Sequence, residues 1–240
     1  MTGVQTCALP ICYGRPNLVA AVELHHQYRD DKRLVIDDFE QGILDRTKPL
    51  PPQLAVRAKN NSLGRNVTVS GLGVPDGLSD ALTEASLRRR DMEFSWHETV
   101  GDIAAWDSLG GTYTTSLGGL DISSFPVLSF RVAQRFGSHR NPSPAGLAPG
   151  DKKDFTVRLV DSGGQIAEVR AGTITDVPFP YKRSDDFNLT KSALKTIRIL
   201  LSTFRNNNPL INLHAVSFIV FRFDISATGE IAIDDIEFSN

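Results

Sequence analysis

The chain has 240 residues, 40% of them hydrophobic, with 26 basic and 28 acidic side chains for a formal net charge of −2. That balance supplies no overall basic field, so neither nucleic acid nor an anionic membrane surface is expected as a partner. The apolar content is enough for a real core, and no apolar run approaches the roughly 20 residues a spanning helix needs.

Met1 to Ile11 resembles a translated short-read sequencing adapter, whose last base also begins the codon of Cys12. Residues 1–12 are therefore expected to be an artefact packing against nothing, and both cysteines, Cys7 and Cys12, fall within it. On this reading the chain is a metagenomic fragment whose native start, and any signal peptide, lay upstream. Residues 13–33 have a different texture: Leu18 to Tyr28 can form a short helix, ended by the charged run Arg29 to Arg33. Two readings stay open for it, the remnant of a missing upstream domain or a helical or irregular leader of residues 34–240.

From Leu34 the pattern is strand and turn. Leu34-Val35-Ile36-Asp37-Asp38-Phe39-Glu40 opens residues 34–240, and Ile231-Ala232-Ile233-Asp234-Asp235-Ile236-Glu237-Phe238 closes them. Two apolar runs that flow into Asp-Asp predict one sandwich whose ends meet, with carboxylates gathered at one spot. Carboxylates without neighbouring histidine or cysteine favour a hard cation such as Ca²⁺. Further strands are expected at Asn66 to Ser70, Met92 to Trp96, Phe125 to Val132 and Ile197 to Leu201. Thr156 to Val160 and Gln165 to Val169 flank Asp161-Ser162-Gly163-Gly164, a hairpin signal because glycine supplies the positive φ of a tight turn. A second hairpin is expected to join Ala215–Ile225 to Glu230–Phe238. Helical pattern is scarce, apart from a turn around Leu78 to Leu87. The glycine pairs at 110–111 and 118–119 read as turns, and the loops Thr47 to Gln53, Phe136 to Asp151 and Asp176 to Asp186 break the regularity.

The terminal pair of acidic strands resembles the galactose-binding-like β-sandwiches, a group that includes many carbohydrate-binding modules. Leu120-Asp121-Ile122-Ser123-Ser124-Phe125, followed by Val127 to Val132, is similar to an internal step of the same modules. The resemblance implies an all-β, antiparallel, jelly-roll-like sandwich over residues 34–240 and a glycan as ligand class. It further implies a structural Ca²⁺ held by Glu40 with Asp234 or Asp235, an extracellular or periplasmic setting, and a larger hydrolase whose C-terminal accessory module this would be.

Catalytic patterns are nearly absent. There is no Gly-x-Ser-x-Gly elbow, phosphate loop, His-Glu-x-x-His or Cys-x-x-Cys. His25 and His26 are adjacent, so on a helix they diverge and cannot pair on a metal. His97, His139 and His214 stand alone in sequence. Asp91, Glu93, Glu98, Asp102 and Asp107 crowd around Trp96 and Trp106, and a solvated edge is the plainer account of them than an acid–base pair. Trp96 shares strand parity with Phe94 and reads as core. Trp106, beside Asp107 and a Gly-rich loop, reads as an exposed sugar platform.

One arginine stands in the middle of each of four apolar strands: Arg131, Arg158, Arg198 and Arg222. Alternation puts each opposite its strand's apolar side. If these strands are neighbours, the arginines line one sheet face with Trp106 near its rim and bind a glycan, an acidic one if they are unpaired. If acidic side chains neutralise them, the face is ordinary surface. The leading expectation is a non-catalytic carbohydrate-binding accessory module; the alternatives are a glycan-active lyase or hydrolase on the same fold, and a structural or protein-binding sandwich.

Overall fold

The computed structural model describes residues 32–39, 60–72, 102–135, 138–142, 151–177, 179, 181–182, 190–191 and 194–240. The chain divides between Lys32 and Arg33, and the strands belong to the second unit, Arg33–Asn240. The adapter-like segment, residues 13–31, Thr47 to Gln53, the turn near Leu78 and the strand Met92 to Trp96 lie outside the described residues.

Twelve described strands run in order: β1 Arg33–Asp37, β2 Val67–Ser70, β3 Asp102–Trp106, β4 Gly111–Leu120, β5 Val127–Gln134, β6 Thr156–Asp161, β7 Ile166–Arg170, β8 Tyr181–Lys182, β9 Thr190–Lys191, β10 Lys195–Leu200, β11 Val216–Phe223 and β12 Gly229–Ser239. A short helix α1, Leu201–Asn207, follows β10. Two five-stranded antiparallel sheets result. The first has the order β1-β12-β5-β10, with β3 on β12 as well; the second has β2-β4-β11-β6-β7, while β8 and β9 pair by themselves. The fold is an antiparallel, jelly-roll-like sandwich.

The ends of the unit do meet. β1 lies antiparallel to β12, with Leu34 opposite Phe238 and Asp37 opposite Ile236. Ile231, Ile233, Ile236 and Phe238 are all fully buried, a spacing that strict alternation forbids between 233 and 236. The register with β5 slips between Asp234 and Glu237, and Asp235 has φ 46°. The acidic doublet is thus a bulge, in which one extra residue rephases the strand so that its second apolar pair also faces inward. β1 does the same between Val35 and Asp37, and Phe39 beyond it has φ 56°.

The sheets face one another through aromatic rings. Phe130 on β5 meets Phe221 on β11 edge to face at 4.9 Å, and Phe155 lies 6.0 Å from Phe221. Each of these rings is fully buried, worth about 1.5–3 kcal/mol apiece by area.

Two expectations are corrected. β11 and β12 do not form a hairpin: β11 belongs to the second sheet and β12 to the first, so residues 224–228 arch across the sandwich. Both strands carry enough apolar residues to need a core-facing position, and one arch lets them bury those residues against each other. The glycine pair at 110–111 does lie at a turn, which leads into β4, but Gly118 and Gly119 fall within the end of that strand and not in a turn; Tyr113, Thr115 and Leu117 alternate inward along it. The hairpin of β6 and β7 forms as expected, Gly164 taking φ 81°. Beyond β7, Asn207 and Asn208 donate side-chain N–H groups to the carbonyls of Glu168 and Ile166 at 2.6 and 2.8 Å, which blunts that sheet edge.

Candidate functional site: the outer face of the second sheet

The four arginines do not share a face. Arg131 on β5 and Arg198 on β10 belong to the first sheet, Arg158 on β6 and Arg222 on β11 to the second. Each points away from the core as alternation requires, so the sandwich carries two pairs on opposite sides. Arg131 Nη1 lies 3.0 Å from Asp235 Oδ2 and 3.3 Å from Asp234 Oδ2. Arg158 Nε donates to Glu168 Oε1 at 2.7 Å, and Arg222 Nη1 lies 3.2 Å from Asp224 Oδ2. Arg198 Nη2 donates to the backbone oxygen of Asn240 at 2.9 Å. Three of the four are thereby matched to side-chain carboxylates.

Trp106 is not at a rim. Its side chain is fully buried, stacked on Phe223, and its Nε1–H donates to Ser226 O at 2.8 Å. The adjoining Asp107 does face water, where Arg140 grips both carboxylate oxygens at 2.9 and 2.7 Å and lowers its pKa. Asp91, Glu93, Trp96 and Glu98 lie outside the described residues.

The second sheet presents a patterned outer face. Pairing places Thr68, Thr114, Val220, Arg158 and Glu168 in one row across its five strands. A second row holds Ser70, Thr112, Arg222, Thr156 and Arg170, and a third Ser116, Phe218, Val160 and Ile166. Hydroxyls thus occupy β2 and β4, ion pairs the middle, and an apolar patch one corner. Glu168 bridges that centre, 2.7 Å from Arg158 Nε and 4.0 Å from Arg222 Nη1. Among the exposed large apolar side chains of the described residues, Phe218 at 40% is the aromatic one. Sequence reasoning passed over it, although a signal was present: Arg222 sets the outward parity of β11, and Phe218 shares it.

Of the expected Ca²⁺ set, Glu40 with Asp234 or Asp235, the two aspartates lie among the described residues. Glu40 lies outside them, and Asp234 and Asp235 converge on the guanidinium of Arg131. The Arg131 guanidinium thus takes up part of the negative charge that these two aspartates would offer an ion. Among the described residues no cluster of three or more His, Cys, Asp or Glu is arranged for a metal.

Ser123, His214 and Asp121 meet at one end of the sandwich. Ser123 Oγ lies 3.1 Å from His214 Nδ1, and Asp121 Oδ2 lies 3.2 Å from that same nitrogen. A nucleophilic relay needs the carboxylate on one ring nitrogen and the hydroxyl on the other, so this cluster cannot act as one. The Ser123 hydroxyl and backbone N–H, then His214, hold the Asp121 carboxyl down to about 2. The cluster ties the β4–β5 connection to the loop before β11.

No family model matches the chain, and no curated protein does. Solved structures with a similar arrangement include the family 11 carbohydrate-binding module of the cellulosomal cellulase Lic26A-Cel5E of Clostridium thermocellum, 14% identical over 86% of this chain and 94% of that one, TM-score 0.43. A family 11 module from the same organism, in complex with a β-1,3-1,4-mixed-linked tetrasaccharide, matches at 14% identity over 86% and 94%, TM-score 0.45. The family 30 module of its cellulase Cel9D-Cel44B is 14% identical over 70% and 84%, TM-score 0.42. The chain is similar in arrangement to β-sandwich modules of the carbohydrate-binding type.

Proposed function

We propose that the chain is a non-catalytic carbohydrate-binding module that docks a glycan on the outer face of the second sheet. The observation that carries this reading is the exposed ring of Phe218 in the same field as the ion pairs Arg158–Glu168 and Arg222–Asp224 and the hydroxyls of Thr112, Thr114 and Ser116. A sugar ring has an apolar face and a girdle of hydroxyls. Phe218 offers the stacking surface, and side chains already oriented by one another offer donors and acceptors at little further entropic cost. Because Arg158 and Arg222 already hold carboxylates, the ligand we infer is a neutral glycan rather than an acidic one.

The acidic-strand resemblance supports a role as the accessory module of a larger secreted hydrolase, with the glycan supplied as that enzyme's polymer. The test is a binding screen of the purified chain against neutral and acidic polysaccharides, read together with release of reducing ends. A neutral polysaccharide retained without cleavage is the expected result. Measurable cleavage moves the chain to the enzymes, and no retention of any glycan leaves a structural sandwich.

A further inference from the structure

At the end of the sandwich where β4 passes into β5, a pocket of about 230 Å³ opens beside α1. Its floor is apolar and buried: Phe125 is 8% exposed, and Leu201 and Leu213 are each 3% exposed. Leu200, 54% exposed on a strand end, forms an apolar wall of the pocket. Arg205 lines the mouth, with Ser202. Around the described surface Arg131, Arg135, Arg140, Arg158, Arg170 and Arg222 each hold a carboxylate. Arg205 holds none among the described residues, a guanidinium left open at the lip of an apolar hole.

From this pairing of open cation and apolar floor we propose a second ligand site, distinct from the sheet face, that takes a small aryl carboxylate. The guanidinium fork matches a carboxylate in a two-point contact. The volume lies below the roughly 300 Å³ at which drug-sized sites begin, so a single ring fits. The lining decides between ring types. A sugar acid brings several hydroxyls, each needing a partner when buried, and beyond Arg205 the polar lining is Ser202 and Ser123, the latter already engaged with His214. A flat apolar ring lies against Leu200, Leu213 and Phe125 without leaving a polar group unpaired.

The test is a calorimetric titration of the full chain with benzoate, benzyl alcohol and glucuronate, with amide shifts recorded in parallel. Benzoate is expected to bind at least about tenfold more tightly than either analogue, moving the amides of Leu200 and Leu213. Arg205→Gln should erase the advantage of benzoate over benzyl alcohol while leaving the unfolding temperature and polysaccharide retention unchanged. Equal binding of benzoate to the Gln variant, equal binding of benzyl alcohol, preference for glucuronate, or no saturable shift at these amides would each overturn the proposal. Because polysaccharide retention is read separately, failure here leaves the sheet-face site standing, and the reverse.

Discussion

Trp106 stacks on Phe223 across the sandwich, ring centroids 4.3 Å apart and planes 19° from parallel. β3 contributes the first ring and β11 the second, so the contact joins the two sheets where the 224–228 arch passes over them. An indole in that position is a core element and not a ligand platform. Its cross-strand neighbour is Gly229, at which a Cβ would overlap the indole ring.

Gly229→Ala is therefore expected to destabilise the fold by about 1–3 kcal/mol, the usual cost of over-packing a closed core. Urea unfolding followed by tryptophan fluorescence checks this, with a lower midpoint and an unchanged slope expected. An unchanged midpoint contradicts the packing described.

Glu230 anchors a polar clamp beside the same arch. Its side chain is 6% exposed, ion-paired to Arg135 and bonded by Ser138 Oγ, with Arg140 Nη1 at 3.6 Å. Asn141 returns the contact, its Nδ2 donating to Glu230 O at 2.6 Å and its Oδ1 accepting from Glu230 N at 3.0 Å. Burial pushes the carboxyl up, but the Ser138 hydroxyl and the Arg135 and Arg140 guanidinium groups outweigh it, and the pKa ends below the ordinary value. A depressed folded-state pKa means that the stabilisation is complete above the unfolded value of about 4.3 and is lost as pH falls through the folded one. Glu230→Gln should cost about 1–3 kcal/mol at neutral pH and flatten the acid limb of the stability curve. Parallel limbs for variant and wild type would contradict it.

Phe218→Ala removes the stacking surface without touching the core. Retention of a neutral polysaccharide should fall roughly tenfold, the loss typical of a central aromatic contact, while the unfolding temperature stays within a degree or so, as for most exposed substitutions. Arg222→Ala should weaken binding less, because Asp224 and Glu168 remain. Affinity electrophoresis and thermal melts on the same preparations separate the two effects.

At the terminal bulge, Arg131 pairs with both aspartates of the expected Ca²⁺ set. Chelator should accordingly leave the thermal midpoint of the wild-type chain unchanged. Arg131→Ala, which takes the guanidinium from between Asp234 and Asp235, should lower the midpoint, and millimolar Ca²⁺ should restore part of the loss. A midpoint that drops on chelation in the wild-type chain would show that a cation binds there despite Arg131.

Asp161 turns the β6–β7 hairpin. Its Oδ1 accepts from the N–H groups of Gly163 and Gln165, both at 2.8 Å, and its Oδ2 from Asn212 N–H at 2.9 Å. Asp161→Ala strands these donors and should cost about 1–3 kcal/mol, whereas Asp161→Asn, which keeps one acceptor, should recover part of it. Hydrogen exchange at the Asn212 amide reports which bond was lost.

Much of the architecture was legible in the amino-acid order because local physics writes itself there. The meeting of the ends of the Arg33–Asn240 unit could be read from two matching apolar-acidic strands, and the β6–β7 hairpin from its paired glycines. Even the bulge is visible, since Ile231, Ile233, Ile236 and Phe238 change phase at the acidic doublet. What alternation reports is the side of a strand on which a residue stands, and each of the four arginines does point outward as expected. Alternation does not report which strands are neighbours. Only the tertiary structure assigned β5 and β10 to one sheet and β6 and β11 to the other, which split the arginines between two faces and matched three of them to acids. The same assignment laid Trp106 against Phe223 and left Phe218 in the open, because burial is a property of what lies across the sandwich, many residues away along the chain.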